Sequence, residues 1–198
     1  MSRIKRSHLN RERLLDEGVA ILSTQGYHGT GLKQILDTVN IPKGSFYNYF
    51  ESKDDYGAEV IKHYTDRVVA LCDACLETPG LDGLAALEKY VDAFIEKTRS
   101  TNFREGCLLG NLGAEICDAG ESCLKALRQG LARVQERFER ALARAQQEGV
   151  ARADMDAETM AELLLNAWEG AVMRMRVEKS LKPLEDIREL LLKGYFRA

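Results

Sequence analysis

Proline, tryptophan and long apolar runs are scarce in this chain, which has 3 prolines and 1 tryptophan among 198 residues. No apolar stretch approaches the roughly 18–20 residues that a membrane-spanning helix requires. The basic N-terminal residues are not followed by the apolar segment that directs secretion. We therefore expect neither membrane insertion nor export, and we expect the protein to act in the cytoplasm.

Cysteine is also sparse, and its number is odd. The five cysteines are unevenly spaced, at Cys72, Cys75, Cys107, Cys117 and Cys123. This pattern argues against a disulfide framework and favours a reducing compartment with free thiols. Cys72 and Cys75 form a C-x-x-C on a helix without a second ligand pair, so we expect packing rather than a metal site. Cys117 and Cys123 receive the same interpretation, and we predict no metal and no cofactor.

Charge is distributed unevenly along the chain. The whole sequence has a formal net charge of −3, with 45% hydrophobic and 30% charged residues, a composition typical of a folded protein. Residues 1–53 hold 8 Lys and Arg against 5 Asp and Glu, whereas residues 54–198 hold 20 against 26. A basic first part on an acidic remainder indicates that one end of the protein meets a polyanion.

Apolar residues repeat at helical spacing in nearly every segment, which predicts an all-α fold of nine helices. Thr30, Ser52 and Asp156 stand where helix N-caps belong, and Gly26 stands where a left-handed cap ends the first helix. The expected helices cover about residues 9–25, 31–38, 43–49, 81–100, 107–118, 121–148 and 156–180, with a fourth between Ser52 and Thr78 and a ninth from Pro183. We predict two domains, residues 1–53 and residues 54–198.

The second and third predicted helices form a helix-turn-helix arrangement, because only a short break that contains Asn40-Ile41-Pro42 separates them. Free amides at the start of the third helix attract phosphate, and Gly44 lets the backbone approach closely. Phe46 and Phe50 can turn inward while polar side chains face outward, at Lys43, Ser45, Tyr47, Asn48 and Tyr49. Taken singly, the two tyrosines could instead be packing residues, and Lys53 a solvated surface charge.

The run Gly26–Thr30 and the run Ile41–Asp54 resemble the DNA-binding head of the TetR family of transcriptional regulators, over about residues 8–58. The resemblance implies an all-helical homodimer whose two heads occupy successive major grooves of a pseudo-palindromic operator. It places phosphate contacts on Thr30, Tyr47, Tyr49 and Lys53, and base contacts on Lys43, Gly44, Ser45 and Asn48. The chain departs from many members at Tyr49, where they have histidine, and at Gly31, where they have Thr or Ser.

Cys107 stands at the predicted start of the sixth helix, where the helix dipole and Arg104 would favour a thiolate. The run Gly106–Leu108, with Gly110–Leu112 after it, resembles a NemR-like and AcuR-like subgroup. That resemblance implies a cysteine that senses electrophiles or oxidants, or that borders an effector pocket. A buried packing cysteine is the alternative. The predicted effector region comprises Phe94, Phe103, Cys107, Trp168 and Met175, although such a stripe could be plain core.

The eighth and ninth helices are apolar on more than one face, which predicts a homodimer that joins these helices from two subunits. We predict a transcriptional regulator, a repressor released from DNA by a small-molecule effector or by thiol modification. A thiol-dependent enzyme is one alternative, but the three histidines lie far along the chain from Cys107, at positions 8, 28 and 63. A helical dimeric scaffold without DNA binding is the other, and it leaves the basic first part unexplained.

Overall fold

Nine α-helices make up most of the chain in the computed structural model, which describes residues 3–104, 106–116 and 120–198, with side chains from residue 9 onward. They are α1 Arg3–Gln25, α2 Leu32–Val39, α3 Lys43–Phe46, α4 Lys53–Leu76, α5 Gly83–Ser100, α6 Leu108–Gly113, α7 Glu121–Gln147, α8 Ala157–Glu178 and α9 Lys182–Asp186. A π-helix, Ile187–Tyr195, continues α9. The predicted all-α fold is confirmed, and none of the described helices is long and apolar enough to cross a membrane.

Three of the predicted helix ends are formed as the sequence indicated. The Ser52 hydroxyl accepts a hydrogen bond from the Asp55 amide at 3.0 Å, at the start of α4. The Asp156 carboxylate accepts one from the Thr159 amide at 2.8 Å, at the start of α8. Gly26 follows α1 with a φ of +72°, in the left-handed region that favours glycine.

Two helices are shorter than their sequences predicted. The predicted third helix reaches residue 49, but α3 ends at Phe46, because the amides of Asn48 and Tyr49 bond three residues back and tighten the chain into turns. The predicted sixth helix reaches residue 118, but α6 ends at Gly113, since glycine is a poor helix former. Cys117, which this helix was to include, lies outside the described residues.

The described chain separates into two compact units. The first comprises Met1–Asp66 and Leu108–Gly130, and the second comprises Arg67–Cys107 and Leu131–Ala198. The first unit therefore contains α1 to α3, the beginnings of α4 and α7, and all of α6. The division of function at residue 53 stays a prediction.

Three aromatic rings form the centre of the first unit. Phe46 and Phe50 lie 5.2 Å apart by ring centroids, and Tyr56 lies 5.5 Å from Phe46 and 4.9 Å from Phe50. The buried Tyr56 hydroxyl donates to the Leu14 carbonyl at 2.6 Å, so α4 is tied to α1. The prediction that Phe46 and Phe50 face inward is confirmed, because both are buried.

The second unit is built on close packing of α5 against α7. A Cβ atom at Gly83 would lie 2.7 Å from the Ala145 amide nitrogen, so only glycine allows this approach. Further along these helices, the Tyr90 ring lies between Phe138, at 5.7 Å, and Trp168, at 5.2 Å. These aromatic contacts join α5, α7 and α8 into one core.

Candidate DNA interface and effector region

The short helix α3 and the turn that follows it carry six of the eight residues that the sequence assigned to DNA. Lys43, Gly44 and Asn48 are exposed, Ser45 and Tyr49 are half-buried, and Tyr47 is 56% exposed. The space around the missing Gly44 side chain is open to 4 Å. Phe46, the last residue of the same helix, is fully buried, so one face is anchored and the other is presented outward.

Thr30 does not occupy the position that the sequence predicted. Gly31 is the N-cap residue of α2, without a side-chain cap bond, so the predicted N-cap role of Thr30 is wrong. The Thr30 side chain is 1% exposed, and its hydroxyl donates to the Gly26 carbonyl at 2.6 Å. This threonine closes the turn after α1, and its side chain is not presented to a phosphate.

Lys53 is half-buried rather than freely solvated. Its ammonium donates to the Tyr27 carbonyl at 2.8 Å and lies 4.4 Å from the centre of the Tyr27 ring. Burial lowers the pKa of Lys53 from its ordinary value. Because an ammonium has three N–H donors, this geometry orients the group and leaves donors for a further oxygen.

Tyr27 is also bonded to Glu115, a residue that the sequence analysis did not single out. The Tyr27 amide donates to the Glu115 carboxylate at 2.8 Å, and His28 Nε2 lies 3.0 Å from the Glu115 carbonyl oxygen. A side chain at Gly26 would overlap this carboxylate. No local sequence signal could have revealed the pair, because Tyr27 and Glu115 lie 88 positions apart.

Asp54, next to Lys53, caps the start of α7. Its carboxylate accepts hydrogen bonds from the amides of Ser122 at 3.2 Å and Cys123 at 3.3 Å. Burial alone would raise the pKa of Asp54, but these hydrogen bonds outweigh burial and lower it. The buried Cys123 thiol donates to the Asp54 carbonyl, and burial raises the pKa of this thiol to about 12. Cys123 is thus a packing residue, as the sequence predicted.

Cys107 lies directly before α6 and is 8% exposed. Its thiol is hydrogen-bonded to the carboxyl group of Glu169 on α8, a partner that the sequence did not indicate. Burial raises the pKa of Glu169, and the bond with Cys107 opposes part of that rise. Arg176 packs beside the preceding glycine, since a Cβ atom at Gly106 would lie 2.6 Å from Arg176 Cδ.

The predicted effector residues are partly brought together. The rings of Phe94 and Trp168 meet edge to face with centroids 4.9 Å apart. Met175 is fully buried, and Phe103 is half-buried in a turn with a φ of +59°. One turn after Phe94 on α5, the buried Thr98 hydroxyl has no hydrogen-bond partner among the described residues.

A shallow groove of about 440 Å³ runs between α8 and the π-helix. Apolar side chains at and near it are exposed, with Leu190 at 66%, Val177 at 79% and Met173 at 60%. The groove is lined by Asn166, Ala167, Gly170, Ala171, Arg174, Pro183, Asp186, Ile187, Leu190 and Leu191. Its small residues on α8 would let another helix approach closely.

In the part of the chain that the structure describes, no group of three or more His, Cys, Asp or Glu side chains is placed to bind a metal ion. Cys72 and Cys75 are buried free thiols, and burial raises the pKa of Cys72 to about 12. Both are therefore core residues.

Comparison with known proteins agrees with this geometry. Residues 14–56 match the family model described as bacterial regulatory proteins, tetR family, and residues 83–191 match that of the tetracyclin repressor-like C-terminal domain. The transcriptional repressor DhaR of Mycobacterium sp. strain GP1 is 30% identical, over 88% of this chain and 86% of DhaR. The transcriptional regulator AcuR of Cereibacter sphaeroides is 34% identical, over 89% of this chain and 80% of AcuR.

The crystal structure of reduced Escherichia coli NemR superposes with a TM-score of 0.85 and 27% identity, covering 96% of this chain and 97% of that one. These matches span both the helix-turn-helix and the helices that follow it. The chain belongs to the TetR family, and it is a DNA-binding transcriptional regulator rather than an enzyme.

Proposed function

We propose that this protein is a repressor that binds a pseudo-palindromic operator as a homodimer. The observation that carries the proposal is α3, a single helical turn whose apolar side is anchored by Phe46 and whose polar side is exposed. The similarity to DhaR and NemR, both named as transcriptional repressors, supports repression. Such a regulator acts where the DNA is, which places it in the cytoplasm.

The DNA contacts divide into two kinds. Lys43, Gly44 and Ser45 lie on α3 and Asn48 lies two residues after it, so that these four can meet the base edges of a major groove. Tyr47, Tyr49 and Lys53 offer hydroxyl and ammonium groups, which suit phosphate oxygens. Thr30 is left out of this set, because its hydroxyl is already bonded to Gly26.

Salt titration of DNA binding tests the proposal. We expect the logarithm of the affinity to fall linearly with the logarithm of the salt concentration, with roughly 0.9 units of slope for each phosphate neutralised. Replacing Lys53 by Ala should weaken binding to all sequences alike and reduce the slope. Replacing Asn48 by Ala should relax base preference by about 1–3 kcal/mol at particular positions. Fluorescence anisotropy with selected and scrambled duplexes measures the affinity, the salt slope and the base preference.

Exposed Lys33 provides the matched control for Lys53. It pairs with Asp37 on α2, at 2.9 Å, and is not assigned to DNA. Its replacement by Ala should change the slope less than Lys53→Ala does. A salt-independent affinity of the parent protein would contradict DNA binding by this head, and unchanged binding by both Lys53→Ala and Asn48→Ala would contradict the assigned surface.

We propose that the homodimer forms through α8 and the α9–π-helix segment. The exposed apolar side chains Met173, Val177 and Leu190 support this interface, because isolated monomers rarely leave such a group in water. An isologous pairing would place the groove of one subunit against the same groove of its partner. The two heads would then bind DNA as tethered contacts.

The effector proposal concerns the surroundings of Cys107. We infer that a small molecule binds among Phe94, Phe103, Trp168 and Met175, or that an electrophile modifies Cys107, and that either event releases the protein from DNA. The Thr98 hydroxyl, which has no hydrogen-bond partner in the described part of the chain, and the bond between Cys107 and Glu169 support a polar site within an aromatic region.

Alkylation separates these two effector routes. Iodoacetamide forms a bond between its carbon and the Cys107 sulfur, iodide leaves, and the thiol proton passes to solvent. We expect it to release the parent protein from DNA and to leave Cys107→Ser bound, with equal affinity before treatment. Cys75→Ser, which removes another buried thiol, should respond as the parent does. Normal release of Cys107→Ser would contradict the thiol route and favour a reversible ligand.

A further inference from the structure

We propose that Glu115 is a positioning residue for DNA binding, which acts through Tyr27 on Lys53. This inference rests on the proposed function, in which Lys53 contacts a DNA phosphate. Glu115 itself is an acidic residue after α6, in the segment Leu108–Gly130 that packs in the same compact unit as the helix-turn-helix.

The first step is the contact between Glu115 and the turn after α1. The Glu115 carboxylate accepts the Tyr27 amide at 2.8 Å, and its carbonyl oxygen lies 3.0 Å from His28 Nε2. Glycine is required at position 26 for two reasons. Its φ of +72° suits glycine, and a side chain at Gly26 would overlap the Glu115 carboxylate. One acidic residue therefore holds the turn through two neighbouring residues.

The second step leads from Tyr27 to Lys53. While the Tyr27 amide is bonded to Glu115, its carbonyl accepts the Lys53 ammonium at 2.8 Å, and its ring lies beneath that ammonium at 4.4 Å. The ring is itself fixed, because Tyr27 is buried and its ring packs against Gly57, where a Cβ atom would lie 2.8 Å from Tyr27 Cε2. Lys53 thus takes its orientation from Tyr27, whose backbone position depends on Glu115.

Positioning and simple electrostatics predict opposite effects for the loss of Glu115. A carboxylate in a DNA-binding unit repels phosphates, so its removal should strengthen DNA binding if charge were its only contribution. If Glu115 instead positions Lys53, the removal of Glu115 should weaken DNA binding, because the contact between Lys53 and a phosphate is lost. The sign of the change in affinity therefore distinguishes the two.

The experiment compares variants of the full-length protein on a fluorescent mixed-sequence duplex of about 40 base pairs, long enough for two half-sites. We expect Glu115→Ala to bind roughly 5- to 10-fold more weakly, with the salt slope reduced by about 0.9 for each bound head. Glu115→Gln keeps a carbonyl oxygen that can accept the Tyr27 amide, so its affinity should stay within about twofold of the parent.

Glu121 supplies the matched control. Glu121 is exposed and lies in the same segment. Glu121→Ala removes the same charge, so the affinity of this variant for DNA should be unchanged or slightly higher. Denaturant unfolding midpoints are measured for every variant. Glu115→Leu, which removes the acceptor but keeps most of the side-chain volume, replaces Glu115→Ala if that variant unfolds more easily.

The role of Glu115 is overturned if the variant without an acceptor binds DNA as tightly as the parent or more tightly, if its salt slope is unchanged, or if Glu115→Gln is equally impaired. These results differ from a failure of the proposed function, in which the parent protein itself would bind the duplex without salt dependence. A steep parent slope with an unimpaired Glu115→Ala variant contradicts the positioning role alone.

Discussion

Leu190→Asp is expected to convert the protein to monomers and to weaken operator binding by a factor on the order of 10²–10⁴. Leu190 is 66% exposed and lines the groove beside small α8 residues such as Gly170 and Ala171. Pairing two copies of this groove would bury the new carboxylates without partners, which is strongly unfavourable. Each head would then bind DNA alone and lose the gain from tethering. Sedimentation velocity gives the mass, and anisotropy gives the affinity.

Leu9→Asp provides the control for this prediction. Leu9 is another exposed leucine, but it lies on α1 in the first compact unit and is not among the residues that line the groove. Its variant should sediment as the parent does. A Leu190→Asp protein that remains dimeric would contradict the α8 and α9 interface, whereas a monomeric variant with full operator affinity would contradict the tethered mode of binding.

Local sequence patterns correctly predicted most of the helices and the caps at Ser52, Asp156 and Gly26, because the forces involved act within a few residues. Ser52 and Asp156 accept bonds from amides three positions ahead, a geometry fixed by the first helical turn. Phe46 and Phe50 lie four apart, so both could be assigned to the interior before their ring contacts were known. The same local view overextended α3, whose end depends on the turns at Asn48 and Tyr49.

Residues distant in sequence account for what the patterns missed at the site. Glu115 holds a turn 88 positions away, through a contact that no local pattern predicts. Glu169 follows Trp168 in the sequence, and only the fold shows that it lies against Cys107. Thr30 has the side chain of a good N-cap, but its hydroxyl donates to the Gly26 carbonyl instead. For the two glutamates the deciding partner belongs to another helix or turn.

Phe46, the last residue of α3, and its neighbour Tyr47 should separate stability from DNA binding. Phe46→Ala is expected to lower the free energy of unfolding by about 3–5 kcal/mol, because it removes a fully buried ring from contact with Phe50 and Tyr56. Tyr47→Ala should change stability by no more than about 0.5 kcal/mol, since Tyr47 is mostly exposed. Denaturant unfolding followed by circular dichroism measures both values.

The DNA readout should show the opposite order under conditions in which both variants are folded. Tyr47→Ala loses a hydroxyl assigned to phosphate, so its affinity should fall on all sequences and its salt slope should decrease by about 0.9 for each head. Phe46→Ala keeps every exposed side chain of α3, so its folded fraction should retain the parent slope. Equal losses of stability in the two variants would contradict the anchored helix, because one buried and one exposed face cannot give the same cost.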